Sequence, residues 1–425
     1  MTQLAKFSVK AISIYGCAQI ADGIPVVNDT PTGTITTTVG STAVVGVGTQ
    51  FLTQAAQNSY IYDTSNNVIG QIKTVTDNTH IVLVSAVPAT ATAYAVQVTP
   101  IATAVTGVPF KLGMGAKNVL PVLNLNYSEE VQTEAFQWTG NELSRDEVTI
   151  VKDTFGKLDF ETYLQCRGVI AGTDPVPTEF PMAAWYEASG MAVVFSTGGL
   201  GAIELTNSLP SNNYMTIEVR RSSPDLTPLD ENKVYTMVNC RGLFDADVSI
   251  SSKVKFKFTF QGDIINIAEK PIINPDFGLQ KQNLSATLRS DVITLSELDP
   301  YVNGIAPALS LVTNFCFDKC LAPNFSGFDY TRYQTSCEGG WSKEATPTDV
   351  TLSILEDSAN AVYQPFNELT VDHQLDLRFG LGAGNKVEIL WDRLKLASIT
   401  NGTIASYVSQ ELKFRNTDNV TITLS

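Results

Sequence analysis

Alternation of apolar and polar positions is clearest from Lys253 onward. Val254, Phe256, Phe258 and Phe260 fall on one side, and Lys253, Lys255, Lys257 and Thr259 on the other. A period of two turns one side of a strand toward a core and the other toward water. The same period runs through Val371, His373, Leu375, Leu377 and Phe379, with Asp372, Gln374, Asp376 and Arg378 between them. Further strands are expected at 122–127, 147–152 and 157–163, around an acidic segment at 128–146. A helical reading suits 181–190 (PMAAWYEASG), where Pro181 sits in the first turn and Gly190 ends the run.

The stretch 31–107 carries three charged residues, Asp63, Lys73 and Asp77, and is dominated by Thr, Val, Ala, Ser and Gly. Such residues favour strands and tight turns over helices. Turns are expected at 39–41, 46–48 and 65–67, with short strands at 34–38, 60–62, 80–84 and 94–98. So little charge is unusual for a freely solvated module and suggests burial against another surface.

Three sequence anchors then recur in order. Met215-Thr216-Ile217-Glu218-Val219 resembles Leu369-Thr370-Val371-Asp372-His373, Asn232-Lys233-Val234 resembles Asn385-Lys386-Val387, and Val254-Lys255-Phe256-Lys257 resembles Leu412-Lys413-Phe414-Arg415. Ordered anchors separated by small insertions predict two diverged copies of one β domain. The expected organisation is a first β domain over 1–30 and 108–262, a small all-β module at 31–107, a connector at 263–299 and a second β domain at 300–425. The expected class is therefore mainly β, with two sandwich or barrel domains that each carry at most a short flanking helix.

Composition narrows the function. At 425 residues a prior of about 150 per domain suggests roughly three. Hydrophobic residues at 44% exclude a disordered chain, and 17% charged residues fall below the usual share of about 25%. A net charge of −15 argues against binding nucleic acid by neutralising phosphates. No run reaches the roughly 18 apolar residues of a membrane span, and the N-terminus lacks the apolar stretch of a signal peptide.

Candidate chemistry is sparse. The only histidines are His80 and His373, which lowers the expectation of general-base catalysis, and both read as structural. Cys316, Cys320 and Cys337 lack the second paired spacing of a zinc site. The glycine-rich runs 198–201 and 380–384 read as hairpin turns rather than phosphate cradles, since the second leads into a strand. Glu142, Asp146 and Glu147 could form a glycosidase pair, yet position on a loop fixes no carboxylate geometry. The informative feature is the acidic run itself, with nine carboxylates against three cations between Ser128 and Glu161. Either it is a solvated hairpin, or it is a surface that repels polyanions. No catalytic residue, metal or cofactor is expected.

The runs 134–147 (EAFQWTGNELSRDE) and 157–163 (KLDFETY), followed by the short helix, resemble the major tail tube proteins of long-tailed bacteriophages. The segments 244–260 and 399–414 are similar to the closing strands of that family's domain, and 33–52 is similar to small β modules of phage virion proteins. The resemblance implies a β-sandwich or barrel whose extended hairpins join neighbours into a ring. Rings would stack into a tube whose lumen conducts DNA without binding it, in a virion tail assembled in the host bacterial cytoplasm. It implies trimeric pseudo-hexameric or hexameric rings, with other tail proteins at the tube ends and no membrane partner. The lumen or ring-assembly hairpin would then hold Glu129, Glu130, Glu134, Glu142, Arg145, Asp146 and Glu147. The second copy lacks a clear counterpart of this hairpin. The competing expectation is a tail-fibre or capsid-decoration protein that binds a host or shell surface.

Overall fold

The protein is mainly β, and its described residues build three antiparallel sheets. The computed structural model describes residues 12–21, 23–89, 104–139, 145–163, 180, 182–197, 202–206, 214–222, 232–247, 255–270, 288–295, 310–312, 315–316, 349–355, 373–379, 387–404, 407–416 and 420–424.

In the first sheet the strand order is Val119–Leu120, Ile12–Ala18, Met215–Ser222, Asn232–Asp247, Lys255–Lys270, Arg145–Tyr163 and Leu123–Thr139. The phenylalanine alternation lands as expected: Phe256, Phe258 and Phe260 are fully buried while Lys257 is exposed. Phe160, across from Phe258, stacks on it at 5.2 Å. Helix Met182–Ala188 covers this face, with Trp185 edge-on to Phe160 at 5.3 Å. Gly190, at φ +90°, ends the helical segment where a glycine was expected. Gly16 is required beneath the helix, because a Cβ there would run into the Trp185 ring and the Met215 methyl.

The second face of this sheet is also covered. Six strands form a further sheet in the order Thr34–Thr37, Ala43–Val47, His80–Leu83, Val68–Asp77, Tyr60–Asp63 and Phe110–Gly113. A bridge between Ile35 and Val108, just before the last strand, draws its two edges together around Ile35, Phe51, Ile72, Ile81 and Phe110. Tyr15 and Cys17 of the first sheet pack with Val26, Ala56 and Met114 in a separate buried cluster. The turn expected at 46–48 is instead the end of strand Ala43–Val47, and the chain turns at Gly48 (φ +68°). Gly46 stays in the strand because Thr49 and Phe51 occupy the space its Cβ would take. The strand expected at 94–98 lies outside the described residues.

The second large sheet runs Ala192–Phe195, Ile203–Thr206, Val420–Leu424, Val387–Ile404, Tyr407–Asn416, Asp349–Leu355 and Ser310–Val312. Leu288–Leu295 pairs with His373–Phe379, which pairs with Val387–Ile404. Six strands of each large sheet therefore share one order and one chain sequence. Ile12–Ala18, Met215–Ser222, Asn232–Asp247, Lys255–Lys270, Arg145–Tyr163 and Leu123–Thr139 correspond in turn to Leu288–Leu295, His373–Phe379, Val387–Ile404, Tyr407–Asn416, Asp349–Leu355 and Ser310–Val312. The sheets also exchange material: 192–206 supplies two strands to the second, and Phe315–Cys316 pairs with the first. The stretch 263–299 holds the end of Lys255–Lys270 and the whole of Leu288–Leu295.

Candidate assembly arm

The acidic segment is one long hairpin. The strands expected at 147–152 and 157–163 are a single strand, Arg145–Tyr163, and the strand expected at 122–127 runs on to Thr139. Gly156 does not break it, because its missing Cβ makes room for the Met237 side chain. A β-bulge between Val151 and Asp153 leaves Lys152 as the extra residue and re-aims the strand.

Support from the rest of the sheet ends partway along. Lys255–Lys270 is registered against Arg145–Tyr163 only from Phe155 to Tyr163. From Thr154 to Arg145, among the described residues, the strand registered against it is its hairpin partner. The two-stranded arm runs on for about 30 Å past its last registered pair with Lys255–Lys270, which itself continues to Lys270 against Asn232–Asp247. Its root is fixed by Tyr127 against Tyr235 (5.1 Å between rings), with Arg221 over both. There the Thr259 hydroxyl donates to Asp159 at 2.7 Å, and the Asn124 amide donates to Glu161 at 3.0 Å.

The candidate residues divide along this arm. Glu129 and Glu130, both exposed, lie at its base opposite Gly156 and Phe155, and Glu134 lies further out opposite Ile150. Arg145, Asp146 and Glu147 lie near the tip, opposite Thr139, Trp138 and Gln137. Base and tip are about 27 Å apart, so these residues form a charged rail rather than one constellation. Glu142 lies outside the described residues. Period two, corrected for the bulge, puts Glu130, Glu134, Asp146 and Asp153 on one face and Glu129, Arg145 and Glu147 on the other.

Two buried polar groups at the module's docking surface escaped sequence reasoning. Glu218 and Arg220 are almost wholly buried, and the Arg220 guanidinium donates to Glu218 from Nε at 3.0 Å and lies 4.1 Å over the Tyr15 ring. Burial pulls the guanidinium's pKa down, but Glu218 and Tyr15 outweigh it, and it stands above its usual value. Nearby, Asn239, at φ +52° in a bulge, donates its backbone N–H to the Gln19 side-chain oxygen Oε1 at 2.7 Å and its side-chain amide to Asp263 at 3.3 Å. Thr216, Glu218 and Arg220 form the polar side of the strand Met215–Ser222, and they are buried.

A half-open cleft of about 550 Å³ lies between the module, the helix and the first strand. Leu52, Val75 and Phe195 line it with several alanines, and Glu187 is the one ionisable residue among those lining it. Burial pushes the Glu187 carboxyl up to about 7. Elsewhere, His80 opens the strand His80–Leu83 with its side chain exposed and Nδ1 3.0 Å from Asp77. Hydrogen bonds from Thr79, then His80, pull the Asp77 carboxyl down to about 2. Burial pushes the Cys17 thiol up to about 12, which keeps it unreactive. Among the described residues no group of His, Cys, Asp or Glu gathers as a metal site would, and no helix is long and apolar enough to cross a membrane.

No protein-family model matches the chain, and no curated protein matches it.

Proposed function

We propose that the protein is a structural subunit that assembles with copies of itself into stacked rings, as the tail tube of a long-tailed bacteriophage. The observation that carries this reading is the two-stranded arm. An isolated hairpin is marginal in water, and its open edges are templates for another strand. An arm that leaves register with its own sheet for some ten residues therefore belongs against a neighbour, where main-chain hydrogen bonds complete it. The shared order of six strands in the two large sheets supports a duplicated tube domain, so that three chains would present six equivalent domains around a ring. The net charge of −15 suits a conduit through which DNA moves without adhering.

The arm can be removed where its register allows. Val131 and Thr154 face one another, so an Asn-Gly turn replacing residues 132–153 closes a regular hairpin at the body of the sheet. The shortened protein is expected to keep its β-type circular dichroism and cooperative melting. It is expected to remain a low-order species in sedimentation velocity under conditions where the full chain forms rings or tubes. Tubes formed by the shortened chain contradict the proposal, and discrete oligomers from both chains favour the fibre or decoration alternative.

A further inference from the structure

The helix Met182–Ala188 has two sides of different character. Met182, Trp185 and Tyr186 are buried in the main core. Ala183, Ala184 and Glu187, spaced by three and four residues, line the cleft between the helix and the module. Two alanines beside the carboxyl give this wall little bulk. The module's wall holds two more, Ala55 and Ala56, while Leu52, Val75 and Phe195 supply apolar surface. At about 550 Å³ the cleft falls within the roughly 300–1,000 Å³ of small-molecule sites, which combine apolar walls with a few polar groups.

Polar groups on both walls lack a donor. Among the described residues, no hydrogen bond or ion pair engages the Glu187 carboxyl, and burial alone sets its acidity. Asn58, on the module's wall, has a buried Oδ1 with no hydrogen-bond partner. Residues 18–20, 55–58 and 74–75, with Leu52 and Phe195, add no titratable group to the lining. No cation in that lining therefore offsets a charge on Glu187. A desolvated carboxyl ionises readily only beside a positive charge, and here that charge has to come from outside the chain.

We infer that the cleft is a binding site for a small organic ammonium ion, whose head pairs with the Glu187 carboxylate while its apolar stem lies along Leu52, Val75 and Phe195. This goes beyond the self-assembly reading and does not depend on it. The ammonium N–H donates to the carboxylate in a charge-assisted hydrogen bond, in a site where apolar walls exclude competing water. Binding draws Glu187 into its ionised form, and the proton it held passes to solvent. A neutral ligand of the same shape gains the apolar contact alone.

Saturation-transfer NMR on the full chain, with n-hexylammonium chloride as the probe, tests the site. The amine is expected to bind saturably at pH 8, and 1-hexanol about tenfold more weakly. With the carboxyl at about 7, about nine-tenths of Glu187 is ionised at pH 8 and about one-tenth at pH 6. The amine should therefore bind about tenfold more weakly at pH 6, although it stays protonated itself throughout. Glu187→Gln, which removes the charge and keeps the shape, should weaken amine binding at pH 8 about tenfold and abolish its dependence on pH. Equal binding of amine and alcohol, amine binding unchanged by Glu187→Gln, or no saturable binding of the amine at pH 8 overturns the site. Each of those results leaves the tube reading as it stands.

Discussion

Replacing Arg220 with alanine is expected to lower the unfolding free energy by about 3–5 kcal/mol, read from urea denaturation at neutral pH. Arg220 and Glu218 lie two residues apart on the strand Met215–Ser222, on the face that the 31–113 module covers. Neither side chain reaches water, so each charge depends on the other and on its polar neighbours. Removing the guanidinium leaves a carboxylate with almost no solvent exposure and takes away the cation over the Tyr15 ring. The double substitution Arg220→Leu with Glu218→Leu removes both charges and should recover most of the loss, because apolar replacement of a buried pair is often close to neutral. If Arg220→Ala proved as stable as the parent, the module would not seal this face.

Glu187→Gln is expected to stabilise the protein at pH 8 by up to about 3 kcal/mol and to change little at pH 4. The folded protein raises this carboxyl from its ordinary 4.5 to about 7 through burial in the cleft. The fold therefore prefers the protonated form. Its contribution is fully present below about pH 4.5, falls as pH rises toward 7, and is lost above it. Glutamine keeps the shape of the protonated acid and does not ionise. The difference in stability between the two proteins, measured across pH 4 to 8, should open chiefly between pH 4.5 and 7. A constant difference would mean that Glu187 is solvated in the folded state.

What the sequence made legible was whatever one element could report about itself. The alternation of Phe256, Phe258 and Phe260 with Lys257 specifies a half-buried strand without reference to any partner. The helix at 182–188 is likewise marked by its own boundary residue, Gly190. The rest depended on partners distant in the chain. The polar side of Met215–Ser222 is dry because a module more than a hundred residues earlier covers it, and no local pattern records that. Gly156 and Gly46 look like breaks, yet each lies inside a strand because a neighbouring side chain needs the space. For the candidate site, the concentration of acid from Glu129 to Glu147 was visible, but its form was not. Register and one bulge distribute those residues along two faces of an arm, and they separate base from tip. Glu187 drew no notice because its shifted acidity comes from walls contributed by separate parts of the chain.

The central claim is that this chain builds a tube from copies of itself. Negative-stain electron microscopy of the purified, unfused protein at rising concentration tests it most directly. The predicted result is hollow tubes or stacked rings with three-fold or pseudo-six-fold symmetry. Monomers or discrete closed oligomers that never stack, at any concentration, would contradict it.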